Sequence, residues 1–177
     1  MDGDSRLDAL RAEIRAEFPG FRLVPKQASP LSRVLGAVLS ALTLGRQRAY
    51  MASVVTTIGR AVYVPSDWAG RSADQQYLTL RHERIHLRQF RRFGLLPMVL
   101  GYLLVPLPMG LAWVRARLEW AAYAEGLRAG RELYGPAHLA DPAVRAHVVG
   151  CFTGPAYGWM WPFRRQIESW IEDEMGN

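Results

Sequence analysis

Apolar positions recur along the chain at helical spacing, interrupted once by a strand-like stretch. Residues 5–18 place Leu7, Leu10, Ile14 and Phe18 three to four apart, which predicts an amphipathic helix ended by Pro19-Gly20. Residues 31–44 are apolar but too few to span a bilayer, and they predict a buried helix. From Ala49 to Ile58 the chain is rich in Val and Thr. Gly59-Arg60 is a turn signal, and Ala61-Val62-Tyr63-Val64 follows up to Pro65, so a β-hairpin is expected. Ser72 with Gln75 forms a capping box opening a helix to Phe93, with Gly94 as its stop. A further helix is expected from about Met109 to Arg131. Asp141-Pro142 opens a short helix through His147, and Pro162 opens a last one with Ile167, Trp170 and Ile171 on its apolar face. Helices, a hairpin, then helices predict an α+β class: a small antiparallel sheet or hairpin packed on a helical core.

The uncharged run Phe93–Val114 reads as a membrane span by hydropathy alone. Pro97, Pro106 and Pro108, with Gly94, Gly101 and Gly110, break it up and favour a buried or interfacial pair of short helices. Membrane-surface contact through residues 93–114 stays open, because Tyr102, Trp113 and flanking arginines suit an interface. The N-terminus is acidic and lacks an early apolar segment, so a cytoplasmic location is expected, with peripheral membrane contact as the variant.

Composition adds little until the motifs are read. The chain has 177 residues, a length that fits one domain, and a formal net charge of +6. Lys26 is the only lysine among 22 basic residues, an imbalance that base composition of the gene can produce without any binding role. Cys151 stands alone, which excludes an internal disulfide and a cysteine-based zinc ribbon.

The chemistry lies in His82-Glu83-Arg84-Ile85-His86, an H-E-x-x-H pattern inside the Ser72–Phe93 helix. Residues i and i+4 differ by about 40° around a helix, so both imidazoles leave one face and can share one Zn²⁺. Glu83 lies about 100° from His82, beside the metal but not ligating it. There it can take a proton from the water the metal activates. Leu78, Gln89 and Phe93 continue the His82 face as a mostly apolar stripe. A zinc site with one open position needs a third protein ligand. Cys151 is one candidate. Glu119 is the stronger, because Ala122 and Gly126 leave room around it and Tyr123 shares its face. Glu125 and Glu132 are further carboxylates in the same stretch.

With these residues the chain resembles the gluzincin zinc metallopeptidases over roughly residues 49–130. The family pairs H-E-x-x-H on one helix with a glutamate on a later helix. The resemblance implies a single zincin-like domain over residues 1–177, with a helical arm at 1–20, a metallopeptidase-like core at 49–130 and a helical C-terminal part at 131–177. It implies His82, His86 and Glu119 as Zn²⁺ ligands, Glu83 as general base and a peptide or protein as substrate. The hairpin would match the family's antiparallel sheet, whose edge binds extended substrate. A His or Tyr after the third ligand would stabilise the oxyanion. Tyr123, His147, His138 and Tyr157 are all candidates, and the sequence does not choose among them. A cysteine ligand would instead resemble peptide deformylases, whose distinct cysteine-first motif this chain lacks. One bilayer crossing between His86 and Glu119 would put the ligands on opposite sides, so the zinc reading argues against a span.

Arg81, Arg84, Arg88, Arg91 and Arg92 crowd one helix, but they fall opposite the His/Glu face. A solvated face is the expectation, with anionic-lipid contact second. No nucleic-acid partner is expected, since no recognition signature accompanies them. The aromatic segment Phe152–Phe163 fits either a pocket wall or simple core packing. Two non-enzymatic readings compete with the hydrolase: a zinc-binding scaffold, and a membrane-interface protein in which the motif is incidental.

Overall fold

The computed structural model describes residues 2–30, 54–103, 110–154 and 160–176. The helix expected at 31–44, the first residues of the expected hairpin, Pro106, Pro108, Tyr157 and Trp159 lie outside them. The elements are helix α1 (Gly3–Glu17), strand β1 (Arg22–Pro25), a 3₁₀ turn (Lys26–Ala28), strands β2 (Thr56–Ile58) and β3 (Ala61–Val64), and a 3₁₀ turn (Trp68–Gly70). Helices α2 (Ala73–Phe93), α3 (Leu95–Leu103), α4 (Gly110–Tyr134), α5 (Ala137–Ala140), α6 (Pro142–Thr153) and α7 (Arg164–Gly176) follow. The class is α+β, as the pattern predicts. The chain divides into two compact units, Met1–Arg91 and Arg92–Asn177.

In the first unit the local signals act as expected. Asp2 caps α1 by accepting from the Ser5 amide at 3.0 Å. Both bonds of the capping box form: the Gln75 amide donates to Ser72 Oγ at 3.2 Å, and the Ser72 amide donates to Gln75 Oε1 at 3.0 Å. Gly59, at φ +60, turns β2 back antiparallel onto β3. The sheet itself differs from the expectation of a purely antiparallel pair. It has three strands in the order β1-β3-β2, and β1 runs parallel to β3, with Leu23 opposite Val62. Ala61, Val62 and Val64 of β3, the central strand, are buried. Helix α2 turns Leu80, Glu83, His86 and Leu87 inward. Of the stripe expected beside His82, Gln89 is buried, Leu78 is half-buried and Phe93 is exposed.

The arginine face of α2 is less solvated than its wheel position implies. Arg84 Nε donates to Glu17 Oε2 at 2.6 Å, and Arg88 Nε donates to Glu17 Oε1 at 2.7 Å. Arg84 also pairs with Glu13 at 2.9 Å, and the Arg84 side chain is only 18% exposed. These pairs join α1 to α2. The Arg88 hydrogen bond, with Arg84 adding to it against a burial penalty, holds the Glu17 carboxyl down from 4.5 to about 2. A depressed carboxyl contributes stability above its unfolded pKa and loses it as pH falls through the folded value. Glu17→Gln is therefore expected to cost about 1–2 kcal/mol above pH 4.5, a figure reduced for screening at the exposed Arg88 and Arg91. Urea titrations across pH 2–6 check this: the gap between variant and wild type should close as pH falls toward 2, and a constant gap contradicts it.

The second unit packs around α4. Trp120, Ala124 and Leu127 from α4 meet Phe152 from α6 and Ile167 and Ile171 from α7. Trp120 lies 5.3 Å from Trp170 and 6.2 Å from Phe152 between ring centroids. Asp141 caps α6 by accepting from the Ala143 amide at 2.8 Å, with Pro142 in the first turn. In the aromatic segment Trp161 is buried, and its indole N–H donates to Gln166 at 2.8 Å. Gly101 of α3 faces Val114 and Leu118 of α4, so the described parts of the uncharged run are a short helix and the start of a long one, in contact at this glycine. Among the described residues no helix is long and apolar enough to cross a membrane.

Candidate metal centre

The site starts from helical geometry. One turn of α2 separates His82 from His86 and brings their Nε2 atoms to 3.2 Å, with the rings at 71°. Two nitrogens on one tetrahedral Zn²⁺, each at its usual bond length, stand about 3.3 Å apart. The pair therefore already has ligand spacing. Gln89 Oε1 lies 2.9 Å from His86 Nδ1. When the Nδ1–H donates to that oxygen, the lone pair of His86 is left on Nε2, toward His82.

Glu119 of α4 is 5% exposed, and His86 is 6% exposed. One ligand atom from each of His82, His86 and Glu119 lies within 4.8 Å of the other two. These three can hold a metal ion. Two imidazoles and a carboxylate form a donor set suited to Zn²⁺ with a fourth position left for water.

Glu83, on the same turn as the histidines, is 5% exposed and accepts from the Thr57 hydroxyl on β2 at 2.6 Å. The hairpin thus meets the motif helix at the proposed base. Lys26, in the turn after β1, is fully buried. Burial pushes its ammonium down to about 8, while the charge of Glu83 acts in the opposite direction.

Tyr123, His147 and His138 sit in the second unit. Tyr123 follows Glu119 by one turn of α4 and packs on Phe152 at 5.3 Å. Its hydroxyl is hydrogen-bonded to Cys151, whose thiol is pushed up chiefly by burial. His147 is exposed on α6, with Nε2 3.7 Å from the Cys151 sulfur. His138 packs over Gly130, where an added Cβ would meet its ring at 2.5 Å, and lies 5.1 Å from Tyr134. Asp74, two turns before His82, pairs with Arg6 at 3.1 Å.

Sequence reasoning passed over Lys26, Thr57 and Gln89 as site residues. Gln89 had a visible signal, standing one turn after His86 and on the His82 face. Lys26 had one too, as the sole lysine in an arginine-rich chain. Thr57 had none, because its contact depends on the sheet meeting α2. Comparison of the chain with protein families, curated proteins and solved structures gives no match.

Proposed function

We propose that this protein is a zinc-dependent hydrolase of gluzincin type that cleaves peptide bonds. The observation that carries the reading is the grouping of His82, His86 and Glu119 within 4.8 Å, with Glu83 on the same helical turn as both histidines. Zn²⁺ held there would polarise a scissile carbonyl and lower the pKa of a water molecule. Glu83 accepts a proton from that water as its oxygen adds to the carbonyl carbon. The same carboxyl then returns the proton to the leaving nitrogen as the C–N bond breaks, so the proton count closes on Glu83. Thr57 orients the carboxylate by donating to its Oε2. Tyr123, one turn after Glu119, is the first choice for the donor that stabilises the oxyanion, and His147 the second.

A non-catalytic zinc-binding module is the second reading. The deep burial of Glu83 and its short bond from Thr57 favour it, since a structural carboxylate is held in the same way. A peptide library or an unfolded polypeptide incubated with the zinc-loaded protein separates the two. Cleavage that stops with 1,10-phenanthroline and returns with added Zn²⁺ is expected. A protein that binds one zinc and cleaves none of these substrates is a module and not a peptidase.

A further inference from the structure

Exposed apolar side chains gather in one part of the second unit. Phe93, Leu95, Leu96 and Leu100 are between 45% and 68% exposed, and Trp113 and Val114 at the start of α4 are exposed as well. On α3 the three leucines fall within about 140° of the helix circumference. Met98 and Gly101, on the other side of α3, are buried. A Cβ at Gly101 would meet Val114 at 3.9 Å, so the exposed side chains of α4 come up to α3. Exposed apolar side chains clustered in this way mark a contact surface.

Charge indicates what that surface meets. No acidic residue stands between Glu83 and Glu119, a stretch that contains six arginines. The Arg92 guanidinium lies 5.3 Å from the Phe93 ring centre, and that of Arg117 lies 5.5 Å from Trp113. Neither guanidinium has an acidic partner among the described residues, whereas Arg84, Arg128 and Arg145 each pair with a glutamate. Cations laid over exposed aromatic rings, beside exposed leucines, suit a membrane–water interface. There the apolar groups enter the acyl boundary while arginine stays with the headgroup phosphates.

We propose that the face built from α3 and the start of α4 seats the protein on an anionic lipid surface. Leu95, Leu96 and Leu100 enter the headgroup boundary, and Arg92 and Arg117 pair with lipid phosphates. The contact is peripheral: α3 has nine residues and is about 14 Å long, less than half the hydrocarbon thickness. A second copy of the chain fits this face less well. A two-fold interface would set the same arginines against each other, with no carboxylate in the stretch to pair them. The inference does not depend on the hydrolase reading.

The test sediments the full-length chain with vesicles of phosphatidylcholine alone and of phosphatidylcholine with about 30% phosphatidylglycerol. Affinity for the anionic vesicles should be at least about tenfold higher, and it should fall at least about fivefold between about 0.1 and 0.5 M salt. Leu95→Ser/Leu96→Ser should lower that affinity at least about tenfold, because two apolar side chains no longer enter the boundary. Arg92→Gln/Arg117→Gln should lower it by roughly ten- to thirtyfold. Arg15→Gln/Arg165→Gln removes the same charge from exposed positions outside the patch and should change it by less than about threefold. All these substitutions are at exposed positions, and a thermal melt of each variant checks that the fold is kept.

Equal binding to both vesicle types overturns the proposal. So do leucine or arginine variants that bind like wild type, and a control pair that loses as much as Arg92→Gln/Arg117→Gln. A chain that ignores vesicles but dimerises, and that becomes monomeric in Leu95→Ser/Leu96→Ser, gives the face to a second copy instead. Peptide cleavage is not a readout here, so a failure of the hydrolase reading leaves this test intact.

Discussion

Glu83→Gln is expected to keep the bound zinc and lose at least about 100-fold in kcat, within the range usually traced to a general base. The amide has the shape of the carboxylate and its oxygen can still accept from Thr57, so the first unit keeps its fold at moderate temperature. What the amide lacks is the ability to take a proton from water and return it to the leaving nitrogen. The loss should therefore fall on kcat, with substrate binding little changed. The rate is expressed per zinc-loaded molecule. Hydrolysis at the wild-type rate rejects Glu83 as the base. Zinc lost together with activity would give Glu83 a structural role at the metal centre.

The second large effect concerns the ligands. Replacing both His82 and His86 by Ala removes two of three protein donors and should abolish zinc binding at micromolar metal. Glu119→Ala removes one and should weaken zinc by at least about 100-fold, more than the 10–100-fold typical of an outer partner such as Gln89. The variants differ in what they leave behind. Without Glu119 the histidine pair on α2 remains at 3.2 Å and can still hold zinc weakly. Without the histidines only the carboxylate remains. Wild-type protein should gain thermal stability as zinc is added, because the metal binds the folded state in preference to the unfolded one. The histidine double variant should gain almost none.

Much of this site was legible locally. The capping box fixes where α2 begins, and H-E-x-x-H within it fixes which face carries the imidazoles, because both depend only on residues a turn apart. Glu119 lies on a helix that the sequence predicts and that does form, from Gly110 to Tyr134, but the close approach expected at Gly126 is not seen, since an added Cβ there would meet nothing within 4 Å. The hairpin was readable from Gly59. What escaped is non-local. Strand β1 is four residues long and pairs in parallel with residues almost forty positions later, and nothing within Arg22–Pro25 announces that partner. The same long-range pairing places Lys26. The arginines of α2 looked solvated because a helical wheel shows only their own helix. Glu17, which covers Arg84, lies on α1 across 67 residues of sequence.

Native mass spectrometry of the purified chain after zinc loading and removal of free metal decides whether His82, His86 and Glu119 hold the metal. Wild-type protein and a Glu125→Ala control should each carry one zinc, whereas the His82→Ala/His86→Ala variant carries none and Glu119→Ala loses its zinc to a mild chelator. Folded protein that retains one zinc in both the double-histidine and Glu119 variants would contradict the account, because the metal would then sit elsewhere.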